Sequence, residues 1–226
     1  MQSLGVNVIF DGNNLIRLGE GLWVTMRIAF SSALFSMVLG VFAGIAMSAR
    51  FKPLRLLMRL YLETVRITPV LVLLFLLYFS LSKIFYLSLS AETVAILVFS
   101  FWGTAEMGDI ARGAVASIPL HQRESGLALG MGPAQLYAYI LIPQAARRLL
   151  PAGINLVTRL IKTTALVSLI GEVDVLKVGQ QIIEHASLLR NPMAPLWVYA
   201  LIFLLYFAVC YPVALLSRRL ENKWRN

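Results

Sequence analysis

Residues 22–47 read LWVTMRIAFSSALFSMVLGVFAGIAM and contain one charged side chain, Arg27. An α-helix needs about 20 apolar residues to cross the hydrocarbon core of a bilayer, and this stretch exceeds that length. Arg27 lies near one end, where a long basic side chain can extend its charge to the aqueous boundary. The stretch therefore predicts a membrane-spanning helix and makes the chain an integral membrane protein.

Four further stretches have the composition of spanning helices, and none shows the alternating pattern of a barrel strand. The second span must include charged residues, because its charge-free part, residues 69–82, is too short to cross a bilayer alone. We therefore expect an all-α integral membrane fold with about five transmembrane helices. The predicted spans cover residues 22–48, 55–82, 93–115, 149–171 and 193–216.

The overall composition agrees with this class. The 226 residues are 59% hydrophobic and only 14% charged, with a mean hydropathy of +0.78. The net charge of +9 comes from cations clustered between apolar stretches, which argues against a nucleic-acid partner. The single Cys210 excludes an intrachain disulfide, and the separated His121 and His185 argue against a metal site.

The distribution of Lys and Arg predicts the orientation in the membrane. Basic residues are concentrated after the first and third spans and in the tail, namely Arg50, Lys52, Arg55, Arg59, Arg112, Arg123, Arg147, Arg148, Arg218, Arg219, Lys223 and Arg225. The other side carries only Arg17, Lys83, Lys177 and Arg190. We expect residues 1–21 to be an extracytoplasmic segment and 218–226 a basic cytoplasmic tail. The first ten residues contain no Lys or Arg, so the first span is expected to direct insertion.

Small residues follow a four-residue step along the first span, at Ser32, Ser36, Gly40, Gly44 and Ser48. Such a stripe lets a neighbouring helix backbone approach closely. Two interpretations are open, a packing contact inside this chain and an interface with another subunit, and internal packing is favoured.

Charged residues inside the predicted spans need partners or water, because an unpaired charge in the bilayer costs about 2.5 to 3.5 kcal/mol. Glu63 with Arg66 and Asp109 with Arg112 have the i, i+3 spacing of pairs on one helix face. We favour structural ion pairs for both. Glu106 needs a cation from elsewhere.

Arg159 or Lys162 could supply that cation, or Glu106 could meet the ammonium group of a substrate in a wet cavity. The internal partner is favoured. Further candidates for lining a substrate path lie on the fourth span, at Asn155, Thr163, Thr164 and Ser168.

The linker of residues 117–148 is too long for a simple turn and is neither strongly apolar nor disordered in composition. Pro119 suits a helix start, and Gly130, Gly132 and Pro133 suit a helix stop. We expect two short helices on the cytoplasmic surface. On physical grounds alone, an element that docks a partner and a plain amphipathic connector are equally favoured. The chain has no G-x-x-x-x-G-K-[ST] phosphate loop, so we expect neither ATP binding nor enzyme activity in it.

Glu124-Ser125-Gly126, three residues, Gly130, nine residues and Ile140-Leu-Ile-Pro143 resemble the EAA loop of permease subunits in ATP-binding-cassette importers. Other segments resemble the polar amino acid subfamily, namely Glu63-Thr-Val-Arg66-Ile-Thr-Pro69, Asp109-Ile-Ala-Arg112-Gly113, and Lys162-Thr-Thr-Ala-Leu-Val-Ser168. Ile67, Asp109 and Thr163 depart from the residues usual in that family, which are Gly, Glu and Asp. These departures leave the exact substrate open.

The resemblance implies a type I importer fold over residues 22–217, with 117–148 as a coupling loop that docks on a separate ATPase subunit. ATP and magnesium would bind to that partner. It also implies a second permease subunit, identical or related, an extracytoplasmic solute-binding protein, and an amino acid cargo in the bacterial inner membrane. The buried acids suggest a cationic or zwitterionic cargo. The main alternative is a secondary transporter or channel driven by an ion gradient, and a purely structural membrane subunit is less favoured.

Overall fold

A computed structural model describes residues 6–49, 51–84, 88–188 and 191–224. Arg50, Arg190 and Arg225, which entered the orientation prediction, lie outside these ranges. Within them the regular secondary structure is entirely helical. Four helical segments are long and apolar enough to cross a membrane, and a fifth is added if one bent pair counts as a single span.

The first half of the chain forms α1 (Asn7–Phe10), α2 (Asn14–Met47), α3 (Lys52–Ile67) and α4 (Val70–Phe75), followed by a π-helical turn (Leu76–Leu81) and α5 (Ser82–Ile84). The long helix α6 (Ala91–Ala116) follows. The bent pair consists of α3 and the segment that begins with α4.

The second half begins with α7 (Leu120–Ala128) and α8 (Pro133–Leu136). A π-helical turn (Tyr137–Leu141) leads from α8 into α9 (Ile142–Thr163), which continues as a 3-10 helix (Thr164–Ile170). The chain ends with α10 (Val175–Leu188) and α11 (Ala194–Trp224). The helical segment from Pro133 to Ile170 qualifies as one candidate span.

The chain divides into two compact units. One contains residues 1–32, 70–99 and 159–212, and the other contains residues 33–69, 100–158 and 213–226. In the first unit, α10 packs on α11 through an apolar core. A Cβ added to Gly179 of α10 would lie 2.3 Å from Ile202 Cδ1, so a larger residue there would require the Ile202 side chain to shift.

The second unit is held by the contact between the latter part of α2 and α6. A Cβ at Gly40 would overlap Met107, and one at Gly44 would lie 2.7 Å from Ala111 Cβ and 2.8 Å from the Gly108 carbonyl oxygen. The small-residue stripe of α2 is therefore a packing contact inside this chain in this unit, as the favoured interpretation predicted.

The second predicted span, residues 55–82, is not one continuous helix. It is interrupted at Thr68, whose backbone is extended (φ −81°, ψ 126°). The residue before a proline is sterically driven out of the helical region, and Pro69 follows here. The charge-free residues 69–82 indicated an apolar helix, but they did not predict this break or a separate helix α3 that begins at Lys52.

The structure differs from the sequence analysis in three other places. The linker 117–148 was expected to hold two separate short helices, but its second helix, α8, continues through the π-helical turn into α9. The segment between the fourth and fifth spans contains α10, which the sequence analysis did not predict. Residues 1–21 include α1 and the first turns of α2, so the first spanning helix begins at Asn14 and not at residue 22.

Replacing Gly40 with alanine tests the α2–α6 contact. The added methyl overlaps Met107, so we expect a loss of about 1–3 kcal/mol of stability, as for other overpacked sites. Gly113→Ala in α6 is the matched control, because nothing lies within 4 Å of its added Cβ. Thermal unfolding of the purified chain in detergent should show a lower midpoint for Gly40→Ala and none of that loss for Gly113→Ala. Equal midpoints for the two variants would contradict the contact.

Candidate functional site

Helix α7 carries Glu124, Ser125 and Gly126 and ends abruptly at Gly130. Gly130 has a left-handed backbone (φ +77°) at the helix stop that the sequence analysis expected. The Gly130 amide donates to the Leu127 carbonyl oxygen (2.9 Å), and the Met131 amide donates to the Gly126 carbonyl oxygen (3.1 Å). This pair of bonds is the Schellman arrangement that closes a helix and satisfies its last carbonyl groups.

The buried Gly126 brings α7 against the chain that leads into α9. A Cβ added there would lie 2.6 Å from Leu136 Cδ1 and 2.9 Å from Ile140 Cδ1. Pro143, the last residue of the predicted loop signature, is exposed near the start of α9. The α7 segment is therefore packed on the helix that it precedes and is not a free connector.

Two polar contacts add to this attachment. The Arg148 guanidinium donates to the Ser117 carbonyl oxygen and contacts its hydroxyl, both at 2.5 Å. The Gln144 side-chain amide donates to the Gln122 oxygen at 3.3 Å. Movement of α7 would consequently be transmitted to α9 through packing and hydrogen bonds together.

The opposite side of α7 is uncovered. Glu124 and Ser125 are exposed. Leu120 and Leu127 on this side are 66% and 50% exposed, and Leu129, which follows α7 at its C-terminal end, is 78% exposed. Leucines exposed together on a short polar helix form the kind of patch that partner proteins cover.

A cluster of charges joins α3 to α6 in the same unit. Asp109 accepts from Arg112 one turn further along α6, with its Oδ1 2.5 Å from Nη2, and it also pairs with Arg66 of α3. Arg66 Nε lies 3.9 Å from Glu106 Oε1. The spacing rule thus identified the Asp109–Arg112 pair, and a contact between helices adds Arg66 to it.

Glu63 does not form the predicted pair with Arg66, which turns to the acids of α6 instead. Within the described residues Glu63 makes no ion pair, and it lines an open cavity of about 710 Å³. Two of the other residues that line the cavity are Arg55 and Arg59. The expectation that Arg159 or Lys162 neutralises Glu106 stays a prediction.

The polar residues of the fourth span form separate contacts within the two units. In the second unit, the Asn155 amide donates to Glu221 at 3.4 Å. In the first unit, Thr163 donates to the Arg159 carbonyl oxygen, and the buried Thr164 donates to Ile161 on its own helix. Arg159 and Lys162 are exposed.

The sequence analysis overlooked Asp174, which is completely buried just before α10. Its Oδ1 accepts from the Lys177 amide at 2.9 Å and so caps the helix. Among the described residues, its Oδ2 has no hydrogen-bond partner. Nearby, the Val175 amide donates a hydrogen bond to the Thr25 hydroxyl oxygen at 3.4 Å. An Asp that precedes an apolar run with helical spacing indicates a helix N-cap. This signal at Asp174 could have predicted both the cap and α10.

Burial raises the pKa of Asp174 from 3.8 to about 6. The folded chain therefore binds this proton more tightly than the unfolded chain, and stability falls as the pH rises from about 4 to about 6. The full effect is on the order of 3 kcal/mol.

The variant Asp174→Asn retains a capping oxygen but has no proton to lose, so it should remove this dependence. Thermal midpoints of the wild type and the variant, measured from about pH 3.5 to pH 8, should converge at the lowest pH and favour the variant at high pH. A parallel pH response in both proteins would show that Asp174 does not titrate in this range.

A family model described as a binding-protein-dependent transport system inner membrane component matches residues 36–226. The glutamate transport system permease protein GluD of Corynebacterium glutamicum is 32% identical over 207 residues, which is 91% of this chain and 74% of the relative. The probable glutamine ABC transporter permease protein GlnP of Bacillus subtilis is 31% identical and covers 94% of this chain and 95% of its own length.

Solved structures show the same architecture. An amino acid ABC transporter chain is 26% identical, has a TM-score of 0.80, and covers 91% of this chain and 94% of its own. A chain of the MetNI methionine ABC transporter in an inward-facing conformation, 20% identical with a TM-score of 0.69, covers 91% of this chain and 97% of its own. The latter likeness concerns the fold alone.

Proposed function

The chain belongs to the family of binding-protein-dependent transport system inner membrane components, and we propose that it forms an amino acid path with a second permease and is driven by an ATPase docked on α7. It is a multi-pass permease subunit of an ATP-binding-cassette importer with the type I fold. It is a transport subunit of the inner membrane. Its named relatives are amino acid permeases.

One observation carries the proposed coupling. Helix α7 is closed at Gly130, packed on the start of α9 through Gly126, and presents uncovered leucines on its other side. An element held on one side and exposed on the other can carry a partner's movement as a rigid body. Glu124, beside those leucines, would add a polar contact to the docked ATPase.

The remaining partners follow from the kind of transporter. ATP and magnesium would bind to the ATPase, because this chain has no phosphate loop. A bundle of about five helices is narrow, so a second permease, identical or related, would complete the path. An extracytoplasmic solute-binding protein would deliver the cargo. The distribution of basic residues supports an outer N-terminus and a cytoplasmic C-terminus.

The cargo is proposed to be a cationic or zwitterionic amino acid. The ion pairs that Arg66 forms with Asp109 and Glu106 support a structural role for these acids in the described conformation. Rearrangement of this cluster during transport would uncover a carboxylate for an ammonium group. Asn155, Thr163 and Thr164 remain lower-ranked candidates for the path.

Replacing Leu129 with serine tests the docking surface. The side chain is 78% exposed, so the substitution should leave folding unchanged but weaken ATPase binding by removing apolar contact area. Leu188→Ser is the matched control, because Leu188 is 80% exposed and lies at the end of α10.

The tagged chain is purified in mild detergent, and mass spectrometry quantifies the ATP-binding-cassette subunit that accompanies it. We expect Leu129→Ser to lose most of the ATPase while Leu188→Ser retains it. Full retention by Leu129→Ser would exclude the C-terminal end of α7 as a main contact. Absence of any ATPase from the wild-type preparation would contradict the proposed function itself.

A further inference from the structure

Helix α3 has three distinct faces. One face packs into the second unit, where the buried Leu62 and Val65 and the partly buried Met58 and Tyr61 contact a core of α2 and α6 residues. The Tyr61 hydroxyl also donates to the Phe101 carbonyl oxygen at 2.5 Å. This face fixes the orientation of the whole helix, so the directions of its other side chains are determined.

The second face is basic. Lys52, Arg55 and Arg59 follow one another at steps of three and four residues and therefore share a side of the helix. Arg55 and Arg59 are exposed and form no ion pair in the described part of the chain.

The 710 Å³ cavity beside them is lined by four arginines, Arg55, Arg59, Arg66 and Arg112, and by two acids, Glu63 and Asp109. The Asp109 carboxylate is already shared by Arg66 and Arg112. Arg55 and Arg59 thus face the cavity with an excess of positive charge.

The third face is apolar and uncovered. Leu56, Leu57 and Leu60 are 59%, 59% and 57% exposed, and Ile67 is 79% exposed. At 100° per residue these side chains lie next to the basic face around the helix axis. An amphipathic helix with basic and leucine-rich faces side by side is typical of segments at the membrane interface.

We propose that α3 binds an anionic phospholipid, with the phosphate of its headgroup between Arg55 and Arg59 and its acyl chains along Leu56, Leu57 and Leu60. A guanidinium group offers paired N–H donors that match phosphate oxygens. A free phosphate ion would neutralise the charge of the arginines but would make no apolar contact with the leucines. A lipid satisfies both faces at once, and the chain lies in the medium that supplies it.

The test uses the purified full chain in detergent mixed with equal amounts of phosphatidylglycerol and phosphatidylcholine. Native mass spectrometry counts the lipids of each kind that remain bound. The wild type should retain phosphatidylglycerol in preference to phosphatidylcholine. The double variant Arg55→Gln/Arg59→Gln should lose roughly tenfold or more of that preference, because each basic side chain contributes to attraction of an anionic headgroup.

The control variant Arg218→Gln/Arg219→Gln removes the same charge from another exposed basic pair and should keep the preference. An equal loss in both variants, or no loss in either, would overturn the proposal. Displacement of the lipid by excess inorganic phosphate alone would show a site for soluble anions instead.

The leucine face has its own test. Leu56→Gln/Leu60→Gln should lower retention of the lipid without changing the number of chains in the complex. If that variant changed the number of chains and left lipid retention intact, the leucine face would be an interface between subunits, and the lipid assignment would be wrong.

Discussion

The close contact of α2 with α6 at Gly40 and Gly44 is the constraint on which the second unit depends. Hydrocarbon gives helices no hydrophobic reason to associate, so van der Waals contact over small residues must hold them together. Gly44 lets α2 reach the backbone of α6 at Gly108. This places α6, with its acids, where α3 can reach them, and the charge cluster around Asp109 follows from that placement.

The same unit contains a surface that this chain leaves uncovered. Helix α7 is tied to the start of α9 by Gly126 and by the contacts of Arg148 with Ser117, yet its leucines face outward. Leucines exposed in this way are unfavourable for an isolated chain, and a partner that covers them would remove this cost. Under the proposed function that partner is the ATPase, and its docking would let a chain without a phosphate loop take part in ATP-driven transport.

Local sequence was sufficient for the all-helical class and for four of the five predicted spans, since apolar length and composition report directly on the bilayer. It was also sufficient for the helix stop at Gly130 and for the Asp109–Arg112 pair, because both depend on residues within one or two turns. It failed for Arg66, whose partner on α6 is set by packing between helices and not by spacing along α3. The break at Thr68 and the cap at Asp174 had sequence signals, but the apolar stretches around them dominated the interpretation.

Transport by reconstituted proteins tests the central claim most directly. The chain alone, and the chain with its co-purified ATPase and second permease, are placed in liposomes with the solute-binding protein and a labelled amino acid. The account predicts uptake only by the full complex, and only when ATP is supplied on the side of the ATPase. Accumulation of the amino acid by the chain alone under a proton or sodium gradient, without ATP, would contradict it and establish a secondary transporter.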